Sequence, residues 1–210
     1  LSIAYVAAYS ASESVYRKHP YPMTTADGVP RIFNGNVMTE ADARAQNKEI
    51  WFHLMAIARD SPWHEHIMDE FRRTLDDSPD DIVSFDGFEI DSYGHSSDDR
   101  YFSAGSKSSG RLLSDVIMEL VGDVREMSHR FKDKAAGSFN CVNEFGIEKM
   151  YDVVDFLFVE IWAGYKSGWD EIVDLCYNHR APKNQRMVFK VYPADSALGK
   201  KFWPPEKARA

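Results

Sequence analysis

Two carboxylates fall where apolar runs of strand type end. Asp91 closes Gly87-Phe88-Glu89-Ile90-Asp91, and Glu160 comes late in Phe156-Leu157-Phe158-Val159-Glu160-Ile161-Trp162. Side chains alternate across a strand, so Leu157, Val159 and Ile161 share one face while Phe156, Phe158, Glu160 and Trp162 share the other. By the same rule Phe88 and Ile90 take the aliphatic side, and Gly87, Glu89 and Asp91 the opposite one. Read alone, Asp91 also fits an Asx turn after a strand. Glu160, set between Val159 and Ile161 with Trp162 beside it, reads as a desolvated carboxylate, and such carboxylates at strand ends are more often functional than structural. Two carboxylates on one rim, embedded in aromatics, suit hydrolysis of a glycosidic bond. One attacks or stabilises the anomeric carbon; the other, its pKa raised by burial and by its neighbour's charge, protonates the leaving oxygen.

Such a pair needs a sheet to hold it. Short apolar runs alternate with helical patterns along most of the chain, as in βα units around a parallel sheet. Strands are predicted over residues 3–9, 82–90, 139–142, 156–161 and 187–191. After Ser61-Pro62, Trp63, Ile67, Phe71 and Leu75 recur at spacing four and predict an amphipathic helix. Further helices are predicted over 112–131, 147–154 and 169–178, while 50–57 is open between strand and helix. Residues 10–46, with Pro20, Pro22, Gly28, Pro30 and Gly35, read as a long loop insertion too rich in breakers for regular structure. The last dozen residues read as a loop. In a parallel barrel the aliphatic face packs on outer helices and strand C-termini line the site, so Asp91 and Glu160 converge on one mouth.

Composition narrows the alternatives. With 210 residues, 44% apolar and 28% charged, the chain reads as one globular domain. Its 25 basic and 33 acidic residues give a net charge of −8, which disfavours nucleic acid and anionic membranes as partners. No stretch approaches the ~18 consecutive apolar residues of a membrane span. The chain enters an apolar run at once from Leu1, with no basic segment before it and no cleavage site after it, so no signal peptide is visible and the start reads as interior. Aromatic residues make up 13%, as expected where planar faces meet planar ligands, though cores use the same residues. Cys141 and Cys176 are too few for a disulfide scaffold or a four-thiolate zinc site. Trp63-His64-Glu65-His66 lacks the i, i+4 spacing of a helical metal site, so neither it nor His53 predicts a metal. No G-x-S-x-G elbow is present, and Gly105 to Gly110 runs into Arg111 rather than Lys-Ser/Thr; no cofactor is expected.

Three segments carry a resemblance. Phe85-Asp86-Gly87-Phe88-Glu89-Ile90-Asp91-Ser92-Tyr93-Gly94, Phe139-Asn140-Cys141-Val142-Asn143-Glu144-Phe145-Gly146 and Asp155-Phe156-Leu157-Phe158-Val159-Glu160-Ile161-Trp162 resemble, in order, the F-D-G-[WF]-x-x-D-x-x-G, F-N-x-V-N-x-x-G and D-F-x-Y-x-E-x-W motifs of glycoside hydrolase family 66. That family comprises dextranases and cycloisomaltooligosaccharide glucanotransferases. The resemblance implies an α/β fold of (β/α)₈ TIM-barrel type. This chain would supply strands three to seven of it, as a single partial catalytic domain over residues 1–210. It implies a retaining, endo-acting hydrolase or transglycosylase of α-1,6-glucan, with Asp91 as nucleophile and Glu160 as general acid/base, a polysaccharide partner and an extracellular or cell-surface location. Trp162, Tyr165 and Tyr93 are the expected platforms for sugar faces. Asn140 and Asn143 are expected to meet ring hydroxyls, with a turn-stabilising role for Asn143 equally open. Asp86, on the opposite parity, reads as a structural acceptor, and Glu89 as lying one layer beneath Asp91. Two other readings stay open: a non-catalytic carbohydrate-binding domain, and a barrel glycosidase of another linkage. The catalytic reading requires the two carboxyls within about 8 Å of each other, on one face and at one end of the sheet, with the strand near Phe139 between them.

Overall fold

The computed structural model describes residues 2–76, 85–92, 96, 98–162, 165–166, 169–179, 186–191, 194–195 and 201–202. Five strands, β1 (Ala4–Val6), β6 (Gly87–Ile90), β7 (Ala136–Asn140), β8 (Phe156–Ile161) and β9 (Arg186–Val191), lie side by side in chain order, every neighbouring pair parallel. Parallel neighbours need crossovers, which α3 (Pro62–Leu75), α4 (Leu113–Phe131), α5 (Ile147–Met150) and α6 (Trp169–Asn178) supply. The order never reverses across these five strands. Among the described residues the sheet is open, with β1 and β9 at its edges.

The helices form where the sequence places them. Ser61 caps α3 by accepting from the Trp63 N–H, and Pro62 occupies the first turn, where a missing N–H is harmless. Phe71 and Leu75 of α3 and Val116, Leu120 and Val124 of α4 are buried with Phe88, Ile90, Phe139, Leu157, Val159 and Ile161 of the sheet. Phe71 meets Phe88 edge-on at 4.5 Å between ring centroids. The strand alternation therefore holds: one face of β6 and β8 is sealed by helices, and the other carries Glu89, Asp91 and Glu160. Asp155 ties α4 to the sheet, accepting from Arg125 Nε at 2.9 Å and from the Gly137 N–H at 2.7 Å, with His129 Nε2 at 3.0 Å.

Four expectations are corrected. Residues 10–46 are not irregular. They hold β2 (Ser10–Ala11), α1 (Glu13–Tyr16), β3 (Arg31–Phe33), β4 (Val37–Thr39) and α2 (Glu40–Ala45), and with β5 (Phe52–Leu54) the strands form an antiparallel sheet in the order β2-β5-β3-β4. The breakers sit between strands of two or three residues, too short to show a period. The strand expected over 139–142 begins at Ala136 and ends at Asn140; Val142 already belongs to a turn of 3₁₀ helix. The helix expected over 147–154 ends at Met150. In the final dozen residues, Lys201–Phe202 (β11) pairs antiparallel with Ala194–Asp195 (β10) rather than forming part of a loop. The predicted strand residues 82–84 lie outside the described residues.

Candidate active site

The site is built by parallel register. Tyr5 of β1, Glu89 of β6, Ser138 of β7, Phe156 of β8 and Arg186 of β9 are partners across one layer. One layer nearer the strand C-termini, Asn140 pairs with Phe158 and Phe158 with Val188, and above them Glu160 pairs with Lys190. Asp91 follows Ile90 out of β6, its N–H donating to the carbonyl of Val6. Gly87 makes the close approach of β6 to β7 possible: a Cβ there would stand 2.0 Å from the Ala136 carbonyl oxygen. Asp86, one residue earlier, accepts from the Ser2 N–H at 2.8 Å and so ties the start of β6 to β1.

Asn140 joins the two carboxylates. Its Nδ2 donates to Asp91 Oδ1 and to Glu160 Oε2, each at 2.9 Å, so those oxygens are at most twice that distance apart, about 5.8 Å. The ~120° between two amide hydrogens sets them nearer about 5 Å. Ser92 ties the Asn140 main chain in place, donating to the Asn140 carbonyl at 2.8 Å and accepting from the Val142 N–H at 3.3 Å. Tyr5 hydrogen-bonds Asp91, and Tyr9 Oη lies 3.4 Å from Asp91 Oδ2. Lys190 Nζ is 3.2 Å from Glu160 Oε1.

Burial pushes the Asp91 carboxyl above the usual aspartate range, against the hydrogen bonds of Tyr5 and Asn140, which pull it down; the charge of Glu160 adds to the rise. Burial and then the bond to Asp91 raise the Tyr5 phenol, which stays protonated as a donor. Glu89 is pushed up to about 7 by burial first, then by Asp91 and Glu160, with Lys190 opposing. Cys141, next to Asn140, is buried and its thiol raised by that burial alone, so it is inert.

The other expected substrate residues divide. Asn140 is fully buried, and its amide nitrogen bridges the two carboxylates. Asn143 sits in the left-handed region with φ 51° and accepts from the Trp162 N–H at 2.9 Å, anchoring the residue two past Glu160. Trp162 and Tyr165 are exposed, at 38% and 44%. Tyr93 lies outside the described residues. Glu144, also left-handed at φ 66°, holds Lys166 Nζ at 2.7 Å and His179 Nε2 at 3.0 Å, and takes a hydrogen bond from Tyr165. Asn143, Glu144, Tyr165 and His179 line a pocket of about 690 Å³ beyond the C-terminal end of β7.

Sequence reasoning left out Tyr5, Ser92, Lys190 and Glu144. The parity that located Glu160 also puts Tyr5 and Lys190 on its face, whereas Ser92 and Glu144 act through loops that no periodicity marks. Among the described residues no group of three or more His, Cys, Asp or Glu is set to hold a metal. His64 is instead a core residue, its Nδ1 donating to the Ile57 carbonyl at 2.9 Å.

The described sheet is thus parallel and unreversed, with two carboxylates bridged by one amide on its C-terminal rim. The chain belongs to glycosyl hydrolase family 66, whose model matches residues 1–194. Its expected ligand is accordingly a carbohydrate. No curated protein matches the chain. Among the described residues no helix is long and apolar enough to cross a membrane.

Proposed function

We propose that this chain carries the catalytic pair of a retaining, dextranase-like hydrolase of α-1,6-glucan, with Asp91 as nucleophile and Glu160 as general acid/base. The observation that carries the reading is the single amide nitrogen of Asn140 shared between the two carboxylates. It supports a separation of about 5 to 5.5 Å, the retaining range; an inverting pair stands about 6.5 to 9.5 Å apart to admit a water. Glu160 gives its proton to the glycosidic oxygen as Asp91 forms a glycosyl ester, then takes a proton from the incoming water or sugar hydroxyl. Tyr5 and Asn140 donate to Asp91 and favour its ionised form against the burial that raises it. Trp162 and Tyr165 offer faces to successive sugar rings, the first held by Asn143 and the second by Glu144. The five strands are read as strands three to seven of a (β/α)₈ barrel in one catalytic domain, and the extracellular or cell-surface setting follows the family resemblance.

The test is release of oligosaccharides from dextran by the full-length protein, within a screen of α- and β-glucans. Asp91→Asn and Glu160→Gln each lower kcat by about 10³-fold or more. With external azide, the Asp91→Asn variant is expected to yield a β-glucosyl azide, azide attacking from the face the nucleophile has vacated, whereas Glu160→Gln yields an α-glucosyl azide by azide attack on the glycosyl ester. Activity intact in both variants overturns the assignment. Binding of isomaltooligosaccharides without turnover identifies a carbohydrate-binding domain instead.

A further inference from the structure

The donors around Glu160 favour the wrong protonation state for a general acid. Asn140 Nδ2 at 2.9 Å and Lys190 Nζ at 3.2 Å both stabilise its ionised form. A proton kept on Glu160 near neutral pH needs negative charge close by to oppose them. Asp91 supplies one such charge, and the same face carries one more carboxyl that the mechanism does not use.

Glu89 shares β6 with Asp91, two residues deeper on the same face, between its register partners Tyr5 and Ser138. Its register partners are Tyr5 of β1 and Ser138 of β7, with Phe156 of β8 and Arg186 of β9 farther along the same layer, and the charged groups that act on it are Asp91 from its own strand, Glu160 from β8 and Lys190 from β9. It has no hydrogen-bonding partner among the described residues, and the neighbouring Ser138 Oγ is buried without one. A carboxyl held in that position is coupled to the pair above it by charge alone.

We propose that Glu89 is a positioning residue for catalysis, a third carboxyl whose negative charge, formed as the pH rises, holds the acid proton on Glu160. This rests on the assignment of Glu160 as general acid. The direction follows from coupled titration. Part of what raises Glu89 is the charge of Glu160 itself, so while Glu160 keeps its proton Glu89 ionises at lower pH than it does beside an ionised Glu160. Glu160 then loses its proton against two negative neighbours, Asp91 and Glu89, instead of one. Glu89 thereby widens the pH range of activity on the alkaline side only.

The experiment compares wild type, Glu89→Gln and Glu89→Asp by the pH dependence of kcat/KM on dextran. Carbon-13 titration of the Glu160 carboxyl in the same proteins is the second readout. Glu89→Gln is expected to move the alkaline limb down by about one pH unit and leave the acid limb in place, with Glu89→Asp restoring much of the range. The Glu160 titration midpoint should fall with the limb. A uniform loss of activity with neither limb moved, or a Glu160 midpoint unchanged by Glu89→Gln, overturns the proposal. A midpoint that falls in a protein inactive on dextran sustains the coupling and counts against the dextranase reading alone.

Discussion

Asn140 holds one donor group between two acceptors that repel each other. Replacing that donor with an acceptor has a definite outcome. Asn140→Asp sets a third carboxyl against Asp91 and Glu160 with nothing to bridge them, and kcat/KM should fall by at least about a hundredfold. The protein should still melt cooperatively, since Ser92 binds the Asn140 carbonyl rather than its side chain. Wild-type turnover in this variant would remove Asn140 from the catalytic arrangement. Glu89 allows a test that needs no substrate. Its folded pKa of about 7 lies above the ordinary 4.5, so its ionisation opposes folding. The stability it leaves intact below about pH 4.5 is lost as pH rises through 7. The Tm of Glu89→Gln should therefore gain on that of wild type across this window, as differential scanning calorimetry at pH 4, 6 and 8 would record; a constant offset would contradict it.

At the level of elements, Gly87 sets how closely β6 and β7 pair. Gly87→Ala forces a methyl group into the Ala136 carbonyl, a backbone atom with nowhere to go, and should cost about 1–3 kcal/mol or more, roughly 3–10 °C in Tm. An unchanged melting curve would show that the strands yield. The same stretch shows why some elements were legible and others not. Residues 156–161 alternate strictly and were read to the residue, as was the helix after Ser61-Pro62, because both carry a full period and, in the helix, a cap. The start of β7 was missed because Ala136, Gly137 and Ser138 have no apolar signal; their place is fixed by the Asp155 carboxylate and the close pairing at Gly87. The antiparallel sheet in residues 10–46 was hidden for another reason. Its strands are two or three residues long and are held by tertiary contacts, such as Met23 N–H to the Leu54 carbonyl, that no local pattern records. At the site, parity brought Asp91 and Glu160 together, while the bridging role of Asn140 depends on a neighbouring strand's register and could not be read along one segment.

Across the whole molecule, two sets of carboxylates respond to pH in opposite senses. On the helical side, Asp123 is held at about 2: burial works to raise it, and the hydrogen bonds of His64 and Arg59 more than offset that. Its contribution is complete above about pH 4 and is lost as pH falls through 2. Asp123→Asn should lower stability at neutral pH by about 1–2 kcal/mol, and the difference from wild type should vanish near pH 2 in acid-denaturation curves. A difference that persists there would mean the loss is one of packing. Asp155 and Glu144 are likewise held down by partners from other elements, Arg125 and His129 for the first and Lys166, Tyr165 and His179 for the second, with burial opposing both. The framework is thus weakened by acid, and the catalytic face is strained by alkali.

Because side chains in β6 and β8 alternate between helices and open face, a single codon gained or lost between Asp86 and Asp91 exchanges the two sides. Phe88 and Ile90 would turn toward the carbohydrate and Glu89 into the packed interior. Within these strands the reading frame of the pleat accepts changes of identity but not of length.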